Sequence, residues 1–393
     1  MLALQYVRSI PAFALVKAAG GRPDVATSAL SMLKLGDVPE PPLPAKNWLR
    51  VRPSVSGICG SDLAAITGHV SLYLDPLTSY PFVPGHEVVG VLDDGSRVVI
   101  EPALGCVVRG IDPPCPRCAE GRPGLCYNVT DGPIDVGLQT GYCADTGGGW
   151  GEVLVAHPSQ VHAVPDALSD EAAALIEPFA CCIHAALRGG ATKEDIVVVS
   201  GAGTIGLLTV AAVKLFTSPK RLIAVAKHPT QRDLARKFGA DQVVSPADVF
   251  KRIRFATGAR MLESMNRTLL LGGADITFEC VGRADSLNDA VRFTREGGTV
   301  VAVGMPGEEK VDWAPIWQRE LTVTGAYAYG AEPKKKGRKT FELALEAAPE
   351  MKLEELTGPL FGLAEYRDAI AYAMSAGRLG AVKVAFDLRR LRL

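Results

Sequence analysis

The chain has 393 residues, 48% of them hydrophobic and 22% charged, with a formal net charge of −1. That length implies two hydrophobic cores, and the near-neutral charge removes any electrostatic reason to expect nucleic acid or an anionic membrane as partner. No run of eighteen apolar residues occurs, and the N-terminal segment carries Arg8 and Lys17 without a compact apolar stretch and cleavage site, so a cytoplasmic protein acting on small molecules is expected.

From Met1 to about Val91, short strands broken by proline and glycine, as in residues 37–44 and then Trp48–Arg52, predict a β-rich barrel. Within it stand Gly57-Ile58-Cys59-Gly60-Ser61-Asp62 and Pro84-Gly85-His86-Glu87-Val88-Val89-Gly90, which bring a thiol, an imidazole and a carboxylate within reach of one site. Singly, each has an ordinary explanation: a buried small hydrophobe, a core histidine, a turn carboxylate.

A strand at Arg97–Pro102 feeds a loop holding Cys106, Cys115, Cys118 and Cys126. Nine cysteines is an odd number, and crowding of four of them in a cytosolic chain points to zinc rather than disulfides. Cys-x-x-Cys with two further thiols suits a closed tetrahedral ion that ties together a loop with little core of its own. Residues 147–152 precede a strand at Val153–Val155, with Trp150 a core residue. Helical spacing from Ala172 to Leu187 is interrupted at Ile176-Glu177-Pro178-Phe179-Ala180; a carboxylate among apolar residues is costly unless paired or bound to a cation, which makes Glu177 a site candidate. Cys181, Cys182 and His184 read as helix packing.

Ile196–Ser200 is a buried strand that stops on Gly201-Ala202-Gly203-Thr204-Ile205-Gly206 and runs into an apolar helix, Leu207–Phe216. Strand before and helix after supply the context of a dinucleotide fingerprint. Gly201 makes the turn, Gly203 lets a pyrophosphate approach, Gly206 lets helix and strand pack, and the helix N-terminus offers free N–H groups. Beyond it, strands at Arg221–Val225, Asp275–Glu279, Gly298–Val303 and Leu321–Gly325 alternate with helices at Thr230–Phe238 and Ala284–Phe293, the grammar of a doubly wound parallel sheet. Leu321–Gly325, preceded by apolar residues 313–317, is a candidate edge strand that a second copy would cover. The basic run 334–339 is a solvated turn. A helix at Glu365–Met374 and a strand at Val382–Asp387 return to the first domain.

Gly-Ile-Cys-Gly-Ser-Asp, Gly-His-Glu-x-x-Gly and the later glycine fingerprint, in that order, resemble the zinc-containing medium-chain dehydrogenases, the alcohol, sorbitol, glucose and threonine dehydrogenase family, across nearly the whole chain. The resemblance implies an α/β protein: a GroES-like β-rich catalytic domain over 1–180 and 331–393, and a Rossmann domain over 181–330. It implies a homodimeric or homotetrameric oxidoreductase that moves hydride between an alcohol, polyol or sugar-type hydroxyl, or the matching carbonyl, and a nicotinamide cofactor. By the same resemblance Cys59, His86 and a carboxylate, Glu87 or Glu177, hold a catalytic zinc, Ser61 starts a proton relay and Asp62 orients His86. Gly201, Gly203, Thr204, Ile205 and Gly206 bind the cofactor.

Family members often carry a histidine five residues after the cysteine; here that residue is Ala64, so water or His69 would finish the relay. The family's structural zinc takes Cys-x-x-Cys-x-x-Cys-x-seven-Cys, whose last three positions match Cys115, Cys118 and Cys126. Asp112 stands at the first, and Cys106 is preferred over it because thiolate is the softer ligand. Aligned on the family's helix end at Phe238-Gly239-Ala240, the residue that would bind the adenosine ribose is Ala226, not an acid. Lys227, His228 and Arg232 follow, which favours the 2′-phosphate of NADP over NAD. Two rivals are a zinc-free quinone or enoyl reductase, whose relatives lack the cysteine lobe, and a non-catalytic binding or structural relative.

Overall fold

The computed structural model describes residues 1–265 and 267–392 and divides into two compact units, Met1–Glu177 with Tyr329–Leu393, and Pro178–Ala328. Both boundaries fall a few residues before the expected ones.

The first unit starts with β1 (Leu2–Tyr6). Two helices follow, α1 (Ile10–Ala18) and α2 (Pro23–Ala26), before β2 (Leu33–Asp37) returns to pair antiparallel with β1. A β-rich pattern of short strands was expected from Met1 to about Val91, and these two helices interrupt it. Ser9 caps α1 by accepting from the Ala12 N–H, a proline sits in its first turn, and Ala12 and Val16 are buried. Strand β3 (Leu49–Gly57) leads into α3 (Gly60–Ile66), and β4 (Val88–Leu92) and β5 (Arg97–Ile100) follow. After the cysteine lobe, with its single turn α4 (Pro116–Ala119), come β6 (Leu154–Ala156), β7 (Val161–Ala163) and α5 (Asp170–Ala173). Helix α6 (Ile176–Gly189) begins one residue before Glu177. Pro178 falls in its first turn, where no N–H is needed for the helix ladder, which explains the interruption seen in the sequence. Residues 170–189 are long and apolar enough to cross a membrane, but 78% of that window is buried inside the protein, as in a core segment.

The second unit is a six-stranded parallel sheet in the order β10-β9-β8-β13-β14-β15. Its members are β8 (Ile196–Ser200), α7 (Thr204–Phe216), β9 (Arg221–Val225), α8 (Pro229–Lys237), β10 (Gln242–Val244) and α9 (Val249–Thr257). An antiparallel hairpin that the sequence pattern did not announce, β11 (Arg260–Ser264) with β12 (Arg267–Leu271), comes next. Its apolar residues split between faces: Leu270 is buried in the core of the unit, whereas Leu262, Leu269 and Leu271 are exposed. Then come β13 (Ala274–Glu279), α10 (Ala284–Phe293), β14 (Thr294–Ala302), α11 (Ala314–Gln318) and β15 (Thr322–Gly325). The central strands carry apolar, fully buried centres, Val197 to Val199 in β8 and Leu222 to Ala224 in β9, as a parallel sheet covered on both faces requires.

The chain then completes the first unit with β16 (Ala331–Glu332), β17 (Arg338–Lys339), α12 (Thr340–Ala347), β18 (Thr357–Phe361), α13 (Tyr366–Ser375) and β19 (Lys383–Asp387). The basic run 334–339 lies mostly in an exposed turn, as expected. β19 pairs antiparallel with β3, Ala385 opposite Gly57, in a sheet ordered β18-β19-β3-β4-β5-β7 with β6 also on β3. The pairing is sealed by Trp150, fully buried, edge-on to Phe386 at 5.1 Å and donating its indole N–H to the Gly57 carbonyl at 3.3 Å.

Candidate metal centres and cofactor turn

Strand β3 ends at Gly57, and Cys59 caps α3, its N–H donating to Asp62 Oδ2 at 2.9 Å. His86 and Glu87 stand just before β4, after Gly85 at φ +95°, where a side chain would meet the Trp150 ring. The Cys59 sulfur, one His86 nitrogen and one Glu87 oxygen all lie within 4.8 Å of one another. His86 is 4% exposed and Glu87 1%. Burial alone would push the imidazole pKa down, but Asp62, the Cys59 thiol and Glu177 outweigh it and hold it well above its ordinary value. Asp62, the Cys59 thiol and Glu177 thus surround the imidazole with groups that carry negative charge when ionised, as in a cation site. His86 Nδ1 lies 3.6 Å from Asp62 Oδ1, and one Glu87 oxygen faces the Lys383 ammonium. This donor set of soft sulfur, imidazole and carboxylate fits zinc.

The other expected members sit at different distances. Glu177 is buried and lies outside the 4.8 Å group, although its charge reaches His86. Ser61, in the first turn of α3, lies beside Tyr142. His69 pairs with its own neighbour, Nδ1 being 3.0 Å from Thr67 Oγ1, and it packs beside Gly21. Cys182 is buried on α6, its thiol directed to the Ile205 carbonyl at 3.3 Å. Two residues carry no motif and were missed. Lys383, on β19, is buried between Glu87 and the Ile58 carbonyl, to which it donates at 3.1 Å; burial works against its charge, but Glu87, Cys59 and Asp62 hold its pKa up. Tyr142 is the second. Only a lysine inside an otherwise apolar strand, Val382-Lys383-Val384-Ala385-Phe386, hinted at the first.

The four lobe thiols Cys106, Cys115, Cys118 and Cys126 also meet within 4.8 Å, and Asp112 is not among them. Backbone N–H groups point at the sulfurs: Cys106 N–H to Cys118 at 3.4 Å, Cys115 N–H to Cys106 at 3.3 Å, and Asn128 N–H to Cys126 at 3.3 Å. Burial raises a thiol pKa, yet at Cys115 the N–H groups of Tyr127 and Cys118 and the neighbouring thiols bring it down to about 6. Burial and the adjacent thiols push Cys126 up to about 11. Four convergent sulfurs solvated by N–H dipoles fit a closed tetrathiolate zinc.

In the second unit, Gly201 at φ +98° ends β8, and Gly203 caps α7 without a side chain. A side chain on Gly206 would collide with the Gly201 carbonyl, so the fold itself demands that glycine. A Cβ on Gly203 would meet nothing within 4 Å. The fold places no demand for glycine there, and Gly203 leaves the N-terminus of α7 without a side-chain cap, the end of a helix that suits an anion. Ala226, buried, follows β9. Lys227 is exposed, His228 caps α8, and the Arg232 guanidinium donates to the carbonyls of Ala226 at 3.2 Å and Lys227 at 3.1 Å.

Residues 45–166 match the alcohol dehydrogenase GroES-like domain and residues 204–348 the zinc-binding dehydrogenase family. The chain is 29% identical over 357 residues to sorbitol dehydrogenase of Arabidopsis thaliana, covering 86% of this chain and 88% of that one. With L-threonine 3-dehydrogenase of Streptomyces avermitilis it shares 32% identity over 372 residues, 91% of this chain and 96% of the relative. A crystal structure from Sinorhizobium meliloti 1021, described as a zinc-binding dehydrogenase bound to NADP, superposes with a TM-score of 0.68 at 27% identity, over 90% of this chain and 95% of the other. On two family matches and an identity of 32% that spans nearly all of a relative, the chain belongs to the zinc-containing medium-chain dehydrogenases, nicotinamide-linked oxidoreductases of alcohols and polyols.

Proposed function

We propose that this chain is a two-zinc, NADP-linked dehydrogenase of a polyol, sugar-type or amino-alcohol hydroxyl. The observation that carries it is the convergence of the Cys59, His86 and Glu87 ligand atoms within 4.8 Å of one another, two of the three residues buried. Cys59 and His86 hold the catalytic ion, with Glu87 and Glu177 as the carboxylates near it; Cys106, Cys115, Cys118 and Cys126 hold the structural one. Zinc in such a site supplies a Lewis acid that lowers the pKa of a carbinol hydroxyl, while the nicotinamide takes the hydride. Asp62 faces His86 and fixes its orientation. Ser61 receives the hydroxyl proton, and with Ala64 in place of a histidine that proton continues to water. Lys383 offsets the negative charge that a thiolate and two carboxylates accumulate out of water.

Purified protein is expected to carry about two zinc ions per subunit, one in a closed and one in an open site. Cys115→Ser should lose one of them together with stability; Cys59→Ala should lose activity and keep the fold. Metal analysis joined to a screen of alcohols, polyols, sugars and amino alcohols with both cofactors checks this. A chain with no catalytic zinc and no alcohol-dependent turnover would be the reductase-like or non-catalytic relative instead.

NADP is preferred on three grounds: no acid stands at Ala226, Lys227 is exposed beside it, and Arg232 is already anchored to the same turn. Lys227→Glu should lower kcat/KM for NADP by about tenfold, the loss of one charge-assisted hydrogen bond; a wild type that works better with NAD refutes the assignment. We further place the protein in the cytoplasm, on its clustered thiols, and as a homodimer or homotetramer, on its open sheet edge.

A further inference from the structure

Tyr142 belongs to no motif, yet it stands at the centre of the catalytic cluster. Its hydroxyl donates to Asp62 Oδ1 at 3.1 Å, and the Ser61 side chain lies close enough to act on its pKa. Asp62 Oδ1 is the oxygen that faces His86 Nδ1 at 3.6 Å, while Oδ2 is occupied by the Cys59 N–H. His86 Nδ1 has no partner within hydrogen-bond distance among the described residues, so the setting of that one carboxylate oxygen decides whether the imidazole gains its acceptor.

The tyrosine is held from several sides. Its ring lies 5.1 Å from that of Phe82 and 5.8 Å from that of His86. Two residues on, the Ala144 N–H donates to Ser79 Oγ at 2.8 Å. Just before it, Gly141 at φ +86° presses its backbone on Gly85, where an added Cβ would come 2.9 Å from the Gly85 oxygen. The loop carrying Tyr142 and the loop carrying His86 are therefore locked together. A phenylalanine would fill the same space, and a buried hydroxyl costs free energy unless it is bonded. The hydroxyl is what the packing alone leaves unexplained.

We propose that Tyr142 is a positioning residue: its hydroxyl, bonded to Asp62 Oδ1 and lying beside Ser61, sets the imidazole of His86 for the metal and holds the Ser61 hydroxyl in place for the substrate proton. The inference rests on the zinc reading of this site and goes beyond it, since it makes one phenol the common support of a metal ligand and of the proton acceptor. The phenol acts through Asp62 and Ser61 and does not touch the metal.

The test compares zinc-loaded wild type with Tyr142→Phe, by competition of the catalytic ion with a chelator, by the visible spectrum of the cobalt-substituted protein, and by kcat and KM. Supporting outers of a metal ligand typically contribute tenfold or more to affinity or activity. Tyr142→Phe is expected to release the catalytic zinc to chelator about tenfold more readily, to shift the cobalt spectrum and to lower kcat about tenfold. The structural zinc and the KM for NADP should not move. Because the effect on zinc runs through Asp62, adding Tyr142→Phe to Asp62→Asn should weaken zinc binding no further than Asp62→Asn alone. Wild-type zinc retention and kcat in Tyr142→Phe, or additive losses in the double variant, overturn the inference. Failure of Tyr142→Phe to fold overturns it as well, because the hydroxyl would then serve stability. A wild type that holds only the structural zinc is a different failure, visible before any variant is made, and it removes the reading of the site itself.

Discussion

Arg109 shows how much one side chain can organise. It is 1% exposed, and its guanidinium donates to the carbonyls of Leu104 at 3.0 Å, Asp131 at 2.8 Å, Ile134 at 3.1 Å, Asp135 at 3.1 Å and Gly137 at 3.0 Å. Among the described residues no carboxylate forms an ion pair with it; burial draws its pKa down, and carbonyl dipoles stand in for water. A lysine offers three donors in a different geometry and would leave carbonyls unpaired. Arg109→Lys should therefore cost about 3 kcal/mol of stability, read as a lower urea midpoint. An unchanged midpoint would mean that the lobe rests on its thiols alone.

At the scale of elements, the turn between β8 and α7 separates what glycine does for the fold from what it does for a ligand. Gly206→Ala forces a Cβ onto the Gly201 carbonyl and should destabilise by about 2 kcal/mol. Gly203→Ala has open space and should cost about 0.5 kcal/mol, as at any helix cap. Its effect should appear in the cofactor instead, as a KM for NADP raised about tenfold with the melting temperature nearly unchanged. If Gly203→Ala binds cofactor normally, the pyrophosphate does not approach at that residue.

For the whole molecule, β15 ends its sheet, with Val323 46% exposed and Trp313 and Trp317 on the preceding segment 71% and 82% exposed. An edge with unpaired backbone groups beside two exposed indoles is an aggregation hazard unless another copy covers it. Light scattering should show a dimer or larger at micromolar concentration, and Val323→Lys with Trp317→Glu should shift it toward monomer. A wild-type monomer under those conditions defeats the proposal.

Much was legible in the sequence because it is local. Strand-to-helix alternation from Ile196 onward depends on short-range periodicity, and helix α10, Ala284–Phe293, has the bounds that its pattern predicts. Cys59, His86, Glu87 and the four lobe thiols stand out because metal-binding chemistry concentrates rare residue types at short spacings. Helices α1 and α2 and the hairpin β11–β12 were not legible: each is short and takes its stability from packing on neighbours rather than from its own pattern. Only the tertiary structure brought Lys383 to Glu87, because the register of β19 on β3 joins residues far apart in the chain. It alone placed the Tyr142 hydroxyl on Asp62, 80 positions away. A motif records which groups a site requires; which buried partners hold those groups is decided where distant backbones meet, and no spacing in the sequence encodes it.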